Sequence, residues 1–242
     1  VISANTGAGA ITAAATVTGF ETVSFLTAGV AGTFNLVVND ANVAAAATQT
    51  INGSNLTGTL LWNGAAELDG KFSITGGAGA DSLTGGSLVD TISGGAGADV
   101  ITGGLGADVL AGGIGADTFV YATVAQSNGT NTDSITDFTT GTDKLQVTLD
   151  YSTLTTALDI NAVRASAGVA GTSLAQDTLS GQRGQYVYDT SSSSLFINFN
   201  ADNLLTTSDY KIGINAASTA TASIVDGDIN FVITGATNAD LI

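Results

Sequence analysis

The 242-residue chain carries five lysines and arginines against twenty-one acidic residues, with no histidine and no cysteine, for a formal net charge of −16. That balance excludes binding to phosphate backbones through a basic face, and the missing His and Cys exclude thiol chemistry, disulfides and nitrogen- or sulfur-ligated zinc. The acids are nineteen aspartates with only Glu21 and Glu67; aspartate suits turns where glutamate suits helix interiors, so the composition predicts an all-β protein. No apolar run approaches the length of a membrane span. The chain opens at Val1 without an initiator Met or a basic leader, which reads as an internal or processed start of a longer precursor.

Residues 1–75 read as short alternating strands at Glu21–Phe25, Thr33–Val38, Thr48–Ile51, Gly58–Trp62 and Lys71–Thr75, separated by Gly, Asn and Asp turns. The segment Asn42–Thr50, with four consecutive alanines, is an alternative site for one or two helical turns.

From Gly76 to Val120 five nine-residue units follow without a break: GGAGADSLT, GGSLVDTIS, GGAGADVIT, GGLGADVLA and GGIGADTFV. Each places an aspartate sixth (Asp81, Asp90, Asp99, Asp108, Asp117) and an apolar residue eighth (Leu83, Ile92, Ile101, Leu110, Phe119). Paired glycines permit sharp turns with φ > 0, and the eighth position supplies the inward side chain. A Gly/Asp-rich linker could share this composition but not its phase. Ile74 occupies the eighth position of a unit counted backward, so residues 1–75 are expected to form a continuous solenoid with the repeats. One unit departs from the pattern, with Leu88 in place of the fourth glycine, and its turn is expected to ligate poorly.

After Tyr121 a polar loop leads into Asp133-Ser-Ile-Thr-Asp137-Phe-Thr-Thr-Gly141-Thr-Asp143-Lys-Leu145. Further strands are predicted at Leu145–Leu149, Gln185–Asp189, Ser194–Phe199, Asp209–Ile214 and Ile229–Thr234. Asn198–Asp209 sets oxygen-bearing residues at EF-hand spacing but lacks the glycine at position six, so a strand followed by a turn competes with a cation loop there. Asp226-Gly227-Asp228 reads as a hairpin turn.

The nonapeptide resembles the repeat of the RTX family of calcium-binding, type I secreted proteins. That resemblance implies that two units make one circuit of a right-handed parallel β-helix, or β-roll, with Asp81, Asp99 and Asp117 stacked in one column and Asp90 and Asp108 in the other. It divides the chain into calcium-free solenoid strands (1–75), a calcium-binding β-roll (76–121), and an exit cap with a β-rich C-terminal portion and an uncleaved secretion signal (122–242). The run ADTFVY, then DSITDF, then GTDKL is similar to the sequence that follows such repeats, which makes Asp133, Asp137 and Asp143 candidates for closing the last calcium turn; the competing reading is ordinary turn aspartates. By the same likeness Phe138 caps the apolar column. The terminal Asp240-Leu-Ile242 is similar to the carboxyl-terminal export signal of this family.

Stacked layers lie about 4.8 Å apart, and like charges at that spacing repel by roughly 3 to 4 kcal/mol at an effective dielectric near 20. A cation that accepts six to eight oxygens in irregular geometry relieves this, which selects calcium over magnesium. Several calcium ions are therefore expected at Asp81, Asp90, Asp99, Asp108 and Asp117, and the resemblance adds Asp133, Asp137 and Asp143 as candidate ligands.

Without histidine, Ser-His-Asp triads and Cys-His dyads are excluded within these residues, and a single tryptophan, Trp62, gives little platform for sugars, so no intrinsic enzyme activity is expected. Two functions follow. The favoured one, on the Ala/Thr-rich first third, the charged fraction of only 11% and the absence of His, Cys and Met, is a secreted structural protein that self-assembles into a surface layer, filament or matrix fibre, to which the Thr/Ala/Val-rich Val17–Val23 stretch is similar in style. The other is the export and folding module of a type I secreted protease, lipase or toxin. The partners expected are further copies of the chain and the type I secretion machinery, with no nucleic acid and no membrane-spanning segment, and the location is extracellular.

Overall fold

The computed structural model describes residues 21–25, 29, 31–150, 185–189, 192–198, 210–216 and 228–234. The described residues contain strands and turns and no helix. The chain divides into two compact units, Val1–Val120 and Tyr121–Ile242.

The first unit is a two-sheet parallel solenoid. Its strands are β1 (Thr22–Ser24), β2 (Phe34–Asn39), β3 (Thr48–Asn52), β4 (Leu60–Ala66), β5 (Lys71–Thr75), β6 (Ser82–Thr84), β7 (Thr91–Ala96), β8 (Val100–Thr102), β9 (Val109–Ile114) and β10 (Thr118–Tyr121). Odd strands build one sheet and even strands the other, every neighbouring pair parallel. The chain thus crosses from sheet to sheet at every turn, as a β-roll does.

Two ladders of apolar side chains meet between the sheets. Val23, Ile51, Ile74, Ile92 and Leu110 are in register on the odd sheet. Leu36, Trp62, Leu83, Ile101 and Phe119 are in register on the even one. All ten are buried. Each is worth about 1.5 to 3 kcal/mol against exposure, and within the repeats only one such residue per strand is available. Where the circuits are wider, aromatic pairs add bulk: Phe25 with Phe34 at 5.0 Å and Trp62 with Phe72 at 5.6 Å between ring centroids.

The circuit tightens along the chain. Its length is 28 residues at Thr22↔Thr50, 26 at Phe34↔Leu60, 23 at Thr48↔Lys71, 21 at Leu61↔Ser82, and 18 from Ser73↔Thr91 onward. Register slips once, between Val37 and Asn39 in the β2–β4 pair, and the other surplus residues sit in the turns. The alanine-rich stretch at 42–50 is one of these and is not helical. Ala46 adopts a left-handed φ of 60°, its N–H donates to the carbonyl of Asp69 one circuit on at 2.6 Å, and Thr48 enters β3. Cross-circuit hydrogen bonding outcompetes the helical preference of alanine.

The second unit mixes strand directions. Its strands are β11 (Asp133–Phe138), β12 (Lys144–Asp150), β13 (Gln185–Asp189), β14 (Ser194–Asn198), β15 (Tyr210–Ala216) and β16 (Ile229–Thr234). β11 pairs parallel with β15 and β12 parallel with β16, while β13, β14 and β15 are antiparallel. Ile135, Phe138, Leu145, Val147, Leu195, Ile197, Tyr210 and Ile212 are buried, and the Tyr210 hydroxyl donates to the Thr148 carbonyl at 2.8 Å. Most of the window Asn198–Asp209, the terminal Gly235–Ile242 and the start of the Val17–Val23 stretch lie outside the described residues.

Candidate metal centre

The turns between the sheets bring the five repeat aspartates inward, all of them at most 2% exposed. They are chained by hydrogen bonds that step one circuit at a time. The backbone N–H of Asp81 donates to Oδ1 of Asp99 at 2.7 Å, and that of Asp99 to Oδ1 of Asp117 at 2.9 Å. On the opposite edge the N–H of Asp90 donates to Oδ1 of Asp108 at 2.8 Å. Two columns result, Asp81–Asp99–Asp117 and Asp90–Asp108. The first members reach back past the repeats: Asp81 Oδ1 accepts from Leu60 N–H and Asp90 Oδ1 from Phe72 N–H, both at 2.7 Å.

The second carboxylate oxygen separates the turns into two kinds. Oδ2 of Asp81 accepts from Gly77 N–H, and Oδ2 of Asp90 from Gly86 N–H, each at 2.6 Å. Oδ2 of Asp99 is buried and accepts no hydrogen bond within the protein. The backbone changes with it. Gly95 and Gly97 have φ of 105° and 127°, Gly104 and Gly106 of 106° and 126°, and Gly113 and Gly115 of 98° and 155°, whereas the glycines of the first two units lie outside the left-handed region. The first glycine of each unit is needed for another reason. A Cβ on Gly76, Gly85, Gly94, Gly103 or Gly112 would meet the carboxylate of its own unit's aspartate.

Burial dominates the protonation of these groups. It pushes Asp99 up to about 7, with the neighbouring charges of Asp81 and Asp117 adding to it, and Asp108 up to about 7, with the charge of Asp90 adding. Asp90 rises to about 6 from burial, less because amides of Gly86 and Phe72 stabilise its anion, and Asp81 is raised in the same sense. Burial and the neighbouring carboxylates therefore disfavour the Asp99 anion, and a cation beside it would offset that cost. Its buried, unbonded Oδ2 beside left-handed glycine turns fits an oxygen-seeking divalent ion. Asp108 and Asp117 occupy equivalent turns.

The exit aspartates belong to the second unit and are not drawn into one cluster. Asp133 is buried on β11, where its N–H donates to Ser127 Oγ at 2.9 Å. Asp137 is half-buried on the same strand. Asp143 is buried and closes a local turn, its Oδ2 accepting from Thr139 N–H at 2.7 Å, the same four-residue step that Asp81 and Asp90 use. Phe138 is wholly buried.

Two features were not foreseen from the sequence. Asp228, expected only as a hairpin residue, is fully buried; it accepts from Gly141 N–H at 2.8 Å and pairs with Lys144 at 3.6 Å. The pairing of β12 with β16, remote in sequence, creates that contact. The other is a carboxylate group formed by Asp40, Glu67 and Asp69, whose oxygens lie within 4.8 Å of one another. The isolation of Glu67 among aspartates was its only sequence signal.

Parallel sheets wound through glycine turns, with one buried aspartate per turn, define a β-roll of the calcium-binding repeat type. The sequence profile of the family Peptidase M10 serralysin C terminal matches residues 63–226, and the chain belongs to that family. Its repeat region is that of type I secreted proteins and binds calcium, and the matched part is the non-catalytic portion of the peptidase. A comparison with curated proteins gave no match. No described helix is long and apolar enough to cross a membrane.

Proposed function

We propose that this chain is a calcium-dependent folding and export module of a type I secreted, extracellular protein, serving a passenger domain such as a protease, lipase or toxin. The family match favours this reading over self-assembly into a surface layer or fibre, which rested on composition. The observation that carries it is the buried Oδ2 of Asp99, without a hydrogen bond, in a turn whose glycines are already left-handed.

On this reading Asp99, Asp108 and Asp117, with nearby turn carbonyls, hold calcium, while Asp81 and Asp90 begin each column on backbone amides. Asp133, Asp137 and Asp143 are assigned to further calcium turns within the second unit. Bound calcium supplies positive charge and a demand for six to eight oxygens. Where calcium is scarce, the aspartate columns repel and the thin apolar ladder of the repeats holds them only marginally, so that the repeats open readily into a threadable chain. Binding free energy at the carboxylates then becomes folding free energy outside the cell, at constants of about 10⁻⁴ to 10⁻³ M.

Calcium titration of the purified chain, followed by circular dichroism and by electron microscopy, tests this. A β-signal that grows with calcium while the chain stays monomeric supports the module; a signal equally strong in EDTA overturns it. Lattices or fibres at millimolar calcium would restore the self-assembly reading.

A further inference from the structure

We propose that Asp40, Glu67 and Asp69 form a divalent-cation site outside the nonapeptide repeats. Asp40 opens the turn after β2, and Glu67 and Asp69 lie in the turn after β4. Both turns carry the chain from the even sheet to the odd one, as do those bearing Asp90 and Asp108, so the cluster extends that edge toward the first strands.

The cluster differs from an ordinary acidic surface patch in Glu67. This side chain is 0% exposed. Its Oε1 accepts from Gly70 N–H at 2.8 Å and Asp69 N–H at 3.3 Å, but Oε2 is buried with no hydrogen bond. Among the described residues no ion pair joins a lysine or arginine to Asp40, Glu67 or Asp69, and the charge of Lys71 acts on Asp90, to which Glu67 is also coupled. Burying one carboxylate between two others is unfavourable unless something positive is held there.

The turns are braced so that the acids need not search for each other. Leu68 N–H donates to Asp40 Oδ1 at 3.0 Å, tying the two turns across one circuit, and Glu67 N–H donates to the Gly64 carbonyl at 2.9 Å. A Cβ on Gly70 would collide with Val43, which holds the second turn close against the first. Asp40 and Asp69 are exposed on the outer side, giving an ion an entry path. The donors are oxygen only, spread over residues of two circuits. That set suits a hard cation tolerant of irregular geometry, hence calcium, rather than zinc or tightly hydrated magnesium.

The Glu67 turn stacks on the second repeat unit, the Glu67 carbonyl accepting from Ser87 N–H at 3.0 Å, and the experiment separates this site from that of Asp99. Calcium bound per full-length chain is counted by equilibrium dialysis for the parent, for Asp40→Asn with Asp69→Asn, for Asp99→Asn, and for all three changes together. Both acids of the double variant are exposed, so the fold is expected to survive, as circular dichroism will check. The double variant should bind one ion fewer, and its loss should add to that of Asp99→Asn. An unchanged count in the folded double variant overturns the proposal. Glu67→Gln, nearly isosteric, gives a second reading: at least tenfold weaker binding of that ion, with an unchanged or higher melting temperature in EDTA. Equal destabilisation in EDTA and in calcium would mean that Glu67 only braces its turn, and would also overturn it. Terbium, soaked into crystals and located by anomalous scattering, should appear between these two turns.

Discussion

The hexapeptide GGAGAD occurs twice, at 76–81 and at 94–99, and folds in two ways. At the first site the turn glycines stay out of the left-handed region and the aspartate closes both oxygens on amides. At the second, Gly95 and Gly97 are left-handed and Asp99 keeps an oxygen buried without a hydrogen bond. The difference comes from what lies underneath. Gly77 rests on Leu56 and Gly53, part of a wider non-repeat turn, whereas Gly95 rests on Gly77 and Gly97 on Gly79. A repeat turn adopts the left-handed form when it stacks on another repeat turn. Asp228 shows a third arrangement, a buried carboxylate paired with a lysine.

Calcium removal should expose this contrast most strongly. Hydrogen exchange in EDTA against calcium is expected to show protection falling at least a hundredfold, about 2.7 kcal/mol or more, at the amides of Asp99 and its neighbours. The amides of β3 and β5 should lose less than tenfold. Uniform loss would mean that the two kinds of turn are not distinct.

Substitution should reverse sign between conditions. With calcium present, Asp99→Ala is expected to destabilise by about 3 kcal/mol or more, the cost of breaking a buried charge pair; in EDTA it should be neutral or stabilising. Asp81→Ala should cost about 1 to 3 kcal/mol in both conditions, because it orphans the amides of Leu60 and Gly77. Chemical denaturation of the four samples checks this, and equal behaviour of the two variants would dissolve the distinction.

Glycine replacement reads the same contrast in the backbone. Gly95→Ala is expected to cost about 2 kcal/mol or more, from a left-handed φ of 105° and a collision with the Gly77 carbonyl. Gly86→Ala, whose nearest neighbour would be at 3.1 Å, should cost about 1 kcal/mol or less. Melting curves in calcium distinguish them.

The smallest effect concerns pH. Asp99 and Asp108 titrate near 7 and Asp90 near 6 in the metal-free fold, above the ordinary value of 3.8. The folded state therefore holds protons that the unfolded chain has released. Its stability is full below about pH 4 and falls as pH rises through 7. The melting temperature in EDTA should drop by several degrees from pH 4.5 to 7.5, and Asp99→Asn should flatten that slope. Calcium, which needs the anions, should invert it.

Period and residue type made the repeats legible: an apolar eighth position, a sixth-position aspartate and paired glycines sufficed to assign Leu83 through Phe119 to one core and the five acids to two edges. The strands before residue 76 were legible from alternation alone. What sequence could not distinguish were the two GGAGAD turns, since their residues are identical and the cause lies one circuit away. Leu88 looked like the single defect, yet the fully glycine-bearing turn at Gly76 shares the geometry of the turn that contains it. The grouping of Asp40 with Glu67 was hidden because circuits of 26 and 23 residues have no fixed phase. Lys144 and Asp228 were hidden by their separation along the chain.

An eighteen-residue circuit built from two nonapeptides makes the roll a parity counter. Excising one unit, such as Gly94–Thr102, would transfer every later repeat strand to the opposite sheet and every later repeat aspartate to the opposite edge. Excising two consecutive units would shorten the rod by one storey and leave all remaining partners in place. Evolution of such chains by slippage should accordingly tolerate even steps far better than odd ones, and a pair of deletion variants compared for calcium-induced folding would display that arithmetic directly.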